Sequence, residues 1–213
     1  MYDLHTHTIL SDGELLPCEL IRRMAVLGYD TIGITDHADM SNISHIIAAI
    51  ERVRNSAEEY GIKLLTGVEI THVPPTEIHR LAKLAKDEGA DIVVVHGETV
   101  VEPVASGTNM QACTCEYVDV LAHPGLITRE EAQEASERDI FLEITARGGH
   151  NRTNGHVALV ARETGCNLVV DSDAHSPGDL MNDNARELVI RGAGVPSGRV
   201  EEILTLKTNR FYR

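Results

Sequence analysis

Tryptophan is absent from this 213-residue sequence, phenylalanine occurs twice, and aromatics total 3% of the chain. So few rings leave little for a platform on which nucleic-acid bases could stack. Basic residues are also scarce: 19 Lys and Arg stand against 33 Asp and Glu, a formal charge of −14 with histidine neutral. Replacing counterions along a phosphate backbone needs the opposite balance, which disfavours long nucleic acid as a partner. Long apolar runs are missing. Those present, such as Ile92-Val93-Val94-Val95, have strand length and fall far short of the roughly 18 residues of a membrane span. The opening Met1-Tyr2-Asp3-Leu4-His5 puts an acid where a secretory leader carries basic and then apolar residues. The four cysteines (Cys18, Cys113, Cys115, Cys166) are too scattered for a disulfide framework. Cys113-Thr114-Cys115 lacks the second pair of a structural zinc motif, so its thiols are expected to be reduced and partly buried. These absences point to a cytoplasmic protein. The 42% of hydrophobic residues suffices for a packed core.

What is present is an alternation of short apolar runs and longer stretches of helical period. Seven runs read as strands: Tyr2–Thr6, Thr31–Thr35, Lys63–Ile70, Ile92–Val95, Val118–Ala122, Ile140–Thr145 and Leu168–Val170. Between them, Leu15–Leu27 carries Leu16, Leu20, Met24 and Leu27 on one helical face, and Gly28 follows as a C-terminal stop. Ser44–Tyr60 and Thr76–Glu88 end in the same way at Gly61 and Gly89. Further helices are expected over Asn109–Glu116, Arg129–Arg138, Asn154–Thr164, Asn182–Arg191 and Val200–Leu206. Strands that alternate with helices call for parallel pairing with helical crossovers, hence an α/β fold. No linker, repeat or low-complexity tract divides residues 1–213, and one domain is expected. No glycine-rich phosphate loop follows the first strand, which favours a barrel over a dinucleotide-binding sheet.

Histidine is the excess: the chain has 11. His5 and His7 stand two apart on the first strand, so they share a face. Asp12 follows in Ser11-Asp12-Gly13. Later strands end in Thr35-Asp36-His37, Gly67-Val68-Glu69, Val95-His96, Ala122-His123-Pro124 and Asp173-Ala174-His175. Six of the seven runs thus carry a ligand-type side chain at or just past the C-terminal end, the side on which α/β barrels build active sites. The set His5, His7, Asp12, His37, Glu69, His96, His123, Asp173 and His175 exceeds the three or four ligands of one zinc ion. It fits two or three divalent ions sharing a carboxylate. His45, His72 and His79, in helical or loop context, read as ordinary turn or core histidines.

These motifs resemble the polymerase-and-histidinol-phosphatase (PHP) family of metal phosphoesterases. The likeness rests on Asp3-Leu4-His5-Thr6-His7-Thr8, Ser11-Asp12-Gly13, Thr35-Asp36-His37, Gly67-Val68-Glu69, Val95-His96, Ala122-His123-Pro124 and Asp173-Ala174-His175, in that order. The resemblance implies a distorted (β/α)7 barrel. It also implies that His5, His7, Glu69 and Asp173 hold one ion, that Glu69 bridges to a second held by His96 and His123, and that Asp12, His37 and His175 hold a third. Amidohydrolase-type barrels open with a similar His-x-His but add a carboxylated lysine. Lys63 begins its strand instead of ending it, which weakens that alternative.

Divalent ions lower the pKa of bound water to about 7 and supply hydroxide that can attack phosphorus in line. The expectation is therefore a metal-dependent phosphoesterase (Zn, Mn or Fe) acting on a small phosphorylated metabolite, histidinol phosphate-like or a nucleotide phosphate. Glu69, Asp173 and His175 stand nearest the chemistry. Arg147, followed by His150 and Arg152, is the candidate phosphate-binding group in Arg147-Gly148-Gly149-His150-Asn151-Arg152. Asp3 is a candidate to orient a ligand imidazole. A non-catalytic, metal-stabilised accessory module is the other class left open.

Overall fold

The computed structural model describes residues 1–211. Seven parallel staves carry the fold: β1 (Tyr2–Asp3), β2 (Thr31–Ile34) continued by β3 (His37–Ala38), β4 (Lys63–Ile70), β5 (Ile92–His96), β6 (Val120–Ala122), β7 (Phe141–Thr145) and β8 (Leu168–Asp171). Their order is β1-β2-β4-β5-β6-β7-β8, with β3 also on β4. All pairings are parallel, as Ile92 beside Gly67 and Val120 beside Val94 illustrate. The ring closes where Thr6 bridges Ala174 and the Asp173 N–H donates to the His5 carbonyl at 3.0 Å. This is the expected seven-staved barrel.

The closure is where the barrel is distorted. The run Tyr2–Thr6 forms ladder only at Tyr2–Asp3 and again at Thr6. Between these points carboxylates replace ladder partners. Asp171 accepts the Leu4 N–H at 2.7 Å, and Asp3 accepts the N–H groups of His5 and Ser172. Close approach also dictates composition. A Cβ on Gly33 of β2 would lie 2.5 Å from the Leu4 carbonyl oxygen, so only glycine lets these strands meet.

Helices return the chain between strands: α1 (Pro17–Leu27), α2 (Ile43–Glu51), α3 (Arg54–Glu59), α4 (Ile78–Asp87), α5 (Thr108–Cys113), α6 (Arg129–Glu137), α7 (Asn154–Thr164), α8 (Asp183–Gly192) and α9 (Ser197–Leu204). Gly28 stops α1 in the left-handed conformation at φ 90°, and Thr128 with Glu131 forms a capping box on α6. The period expected for one helix over Ser44–Tyr60 is broken at Arg52-Val53. Arg54 bonds instead to the Leu64 carbonyl and the Asp91 carboxylate, both at 2.7 Å, which turns the second half toward β4. Sheet and helices bury apolar side chains against each other. Ile92 to Val95 are at most 1% exposed, and α1 seals its side with Leu20, Ile21 and Met24. Each such side chain contributes roughly 1.5–3 kcal/mol of burial, which fixes the staves whose ends carry the polar cluster.

Candidate metal centre

His5 and His7 leave β1 on one face, buried with Glu69 from the end of β4 and Asp173 after β8. The His5 Nδ1–H donates to Glu143 on β7 at 2.7 Å, which directs Nε2 toward the cluster. That Nε2 lies 3.0 Å from His7 Nε2, 3.4 Å from a Glu69 oxygen and 3.9 Å from Asp173. His7 Nε2 is 3.3 Å from Asp173. His123 Nε2, from the end of β6, lies 3.6 Å from both Glu69 and Asp173. Imidazole nitrogens and carboxylate oxygens converge here from four staves.

A second group adjoins the first. Asp12 is 3.4 Å from His37 Nε2 and 3.3 Å from His175 Nε2, and Glu69 Oε2 lies 2.6 Å from His37 Nδ1. Glu69 therefore touches both groups. Asp36 positions the Asp12 loop by accepting the N–H and hydroxyl of Thr8 and of Ser11. His96, at the end of β5, faces Glu102 at 3.1 Å and packs against His123 with ring centroids 4.5 Å apart. All nine expected ligand residues are thus gathered at the carboxyl end of the barrel.

The donor set fits divalent cations. Oxygens and imidazole nitrogens suit Zn, Mn or Fe. Ligand atoms about 2.0–2.2 Å from a tetrahedral ion stand about 3.3–3.6 Å apart. The contacts of His5, His7 and His123 Nε2 with Glu69 or Asp173 at 3.3–3.6 Å, and of Asp12 with His37 and His175 at 3.3–3.4 Å, are of that size, whereas the 2.6 Å Glu69–His37 contact is a hydrogen bond. Buried Glu69 Oε1 lacks a hydrogen-bond partner, as do Nδ1 of His7 and of His123. A cation would satisfy the carboxylate oxygen, whose burial is otherwise costly. His123 at φ 27° and Asp173 at φ 51° occupy backbone conformations that cost of order 1–3 kcal/mol each and that gather at functional sites.

Charge coupling runs through the cluster. Burial alone pushes carboxyls up, but His5 and His37 hold Glu69 well below the carboxylate range, and His5 with His7 does the same for Asp173. Burial lowers His5, yet Glu143, Glu69 and Asp173 outweigh it and hold the imidazole well above its ordinary value. His37 is likewise lifted to about 10 against its burial, by Glu69 and Asp12. Burial dominates at His7, which falls to about 4.

A cleft of about 830 Å³ opens over the cluster, with Asp12, His37, His96, His123, Asp173 and His175 in its wall. Arg147 reaches the same wall and stands 3.4 Å from Asp179, which also accepts the N–H groups of His175 and Ser176. His150 lines the cleft too, buried and 3.4 Å from Glu102. Arg152 does not. It sits on the exposed side of the short 3-10 helix His150–Thr153, whose three-residue turn sends His150 and Thr153 inward and Arg152 out. Asp3 also differs from expectation: it binds backbone N–H groups and no imidazole, and burial lifts it to about 6. Two acids were missed. Glu143 is a lone carboxylate inside the apolar Phe141–Thr145 strand, a signal available in the sequence. Glu102 lies in a loop with no such signal and contacts His72, His96 and His150.

A parallel β/α barrel with imidazoles and carboxylates crowded at its carboxyl end belongs to the class of metal-dependent barrel hydrolases. The PHP domain model matches residues 3–95, the stretch that carries His5, His7, Asp12, His37 and Glu69. It is 50% identical over 205 residues to an uncharacterised protein of Methanocaldococcus jannaschii, covering 95% of this chain and 94% of that one. It is 29% identical over 193 residues to a probable phosphatase of Caldanaerobacter subterraneus subsp. tengcongensis, covering 81% and 75%. A DNA polymerase/3'-5' exonuclease of Bacillus subtilis is 26% identical over 194 residues, but the chain spans only 34% of its length. The fold is shared with histidinol phosphate phosphatase from Lactococcus lactis, solved with zinc, L-histidinol and phosphate, at TM-score 0.63 and 16% identity over 92% of this chain and 94% of that one. Among the described residues, no helix is long and apolar enough to cross a membrane.

Proposed function

We propose that this chain, as one domain, hydrolyses a small phosphorylated metabolite. Its class is a hydrolase acting on phosphoester bonds. His5, His7, Asp12, His37, Glu69, His96, His123, Asp173 and His175 are assigned as ligands of two or three divalent ions, Zn, Mn or Fe. The observation that carries this assignment is Glu69, a buried carboxylate within 3.4–3.6 Å of His5 and His123 through one oxygen and 2.6 Å of His37 through the other. When bound, the ions supply Lewis-acid stabilisation of charge at phosphorus and a water of lowered pKa.

The protein's own groups do the rest. Glu143 orients the His5 ring. The His175 Nδ1–H faces the Asp173 carbonyl at 3.0 Å, which leaves Nε2 presented to Asp12 and the cleft. Among the described residues, Arg147 is the one cationic side chain in the cleft wall other than imidazoles, and it is assigned to the phosphate oxygens. Its Asp179 partner holds the guanidinium at the rim. The acidic chain thereby accommodates an anion: three divalent ions would add +6 to −14, giving −8, with the positive charge concentrated in the cleft.

The test is a panel of phosphorylated metabolites assayed separately with Mn, Zn and Fe. Turnover of at least one phosphomonoester or diester, abolished in Glu69→Gln, is expected. Fully metal-loaded protein that cleaves no phosphoester, or cleaves a lactone or amide instead, overturns the proposal.

A further inference from the structure

Outside the nine assigned residues, three more ligand-type side chains meet at the outer edge of the cleft. Glu102, in the loop after β5, places one oxygen 3.2 Å from His72 Nε2 and 3.1 Å from His96 Nε2. Its other oxygen is 3.4 Å from His150 Nε2. These separations are close to the roughly 3.3–3.6 Å between neighbouring ligands of a tetrahedral ion. His72, His96 and Glu102 offer ligand atoms all within 4.8 Å of one another, as do His96, His123 and His150. His96 is therefore the border between the inner cluster and this outer one.

Two further observations set the group apart from ordinary surface pairing. His150 is buried, with its Nε2 held toward Glu102. His72 sits at φ 53°, a left-handed backbone that a histidine holds only at a cost of order 1–3 kcal/mol. That turn brings its ring to 4.6 Å from His96, centroid to centroid.

We propose that Glu102, His72 and His150 form an outer cation site, adjoining the inner centre at His96 and selective for zinc-like ions that take imidazole and carboxylate together. It adds one metal equivalent to those of the inner centre.

The experiment is zinc uptake by the full-length protein, measured by equilibrium dialysis with metal analysis and needing no activity assay. Glu102→Gln keeps the shape of the side chain. His72→Asn keeps a residue tolerant of the left-handed backbone. Each variant is expected to bind one equivalent fewer than wild type at micromolar zinc. The affinity loss for that equivalent should exceed the roughly 10–100-fold cost of losing an outer-shell partner. Asp173→Asn should lose inner equivalents instead, which separates this site from the assignment of the nine ligands. Circular dichroism confirms that each variant is folded. If folded Glu102→Gln and His72→Asn both take up as much zinc as wild type with unchanged affinity, the outer site does not exist.

Discussion

Glu143 and His5, one on β7 and the other beyond β1, are joined by a 2.7 Å hydrogen bond between side chains that are wholly buried. The second Glu143 oxygen accepts the His123 N–H at 2.9 Å. One carboxylate therefore orients the ring of one proposed ligand and the backbone of another. Glu143→Gln removes the charge and presents an amide that cannot accept at both places. Metal affinity is expected to fall about 10–100-fold, with a parallel fall in turnover. Zinc titration of the folded variant checks this, and wild-type affinity would refute it.

Metal should stabilise the fold because the apposed Glu69 and Asp173 carboxylates and four surrounding imidazoles form only in the native state. A ligand at 1,000 times its dissociation constant adds about 4 kcal/mol of stability. Chelator-treated protein is therefore expected to melt several degrees below the loaded form. In Asp173→Asn that gap should shrink sharply. Calorimetry with and without metal measures both, and an undiminished gap in the variant would exclude Asp173 as a ligand.

Cysteine chemistry gives a prediction away from the site. Cys113, Cys115 and Cys166 are buried and Cys18 is exposed, so native protein should take up one equivalent of iodoacetamide and unfolded protein four. Burial lifts the Cys166 thiol from 9.0 to about 12. Below pH 9 both native and unfolded states keep its proton, and stability is unaffected. Between pH 9 and about 12 only the unfolded state releases it, so stability should fall as pH rises, by about 1.4 kcal/mol per pH unit for this thiol. Urea titrations across that range should show a smaller slope in Cys166→Ala.

The two loop arginines should separate cleanly. Arg147 lines the cleft and Arg152 is exposed outside it. Arg147→Ala is expected to raise KM at least tenfold, and Arg152→Ala to leave both kcat and KM within twofold. Steady-state kinetics on the substrate found in the panel decides, and equal effects of the two changes would contradict the assignment.

The nine ligand candidates were legible in the sequence because each stands at or just after a strand end, where a parallel β/α chain has only one side on which to place it. Period and punctuation sufficed for the strands and most helices; Lys63–Ile70 and Asn154–Thr164 keep the expected bounds. The break at Arg52-Val53 was not legible, since it depends on Arg54 reaching Asp91 from another stave. Nor was the outward turn of Arg152, which a three-residue helical turn imposes.

Sequence by itself thus determined the parallel alternation, the α/β class and the side of the barrel on which imidazoles and carboxylates collect, because strand parity and chain direction are local properties. Tertiary structure alone decided which of them touch. Glu143 meets His5 across 138 positions, and Asp171 takes the Leu4 N–H across 167. The second arises where the first stave closes on the last, the first where β7 reaches His5 beyond β1, and no local pattern encodes either.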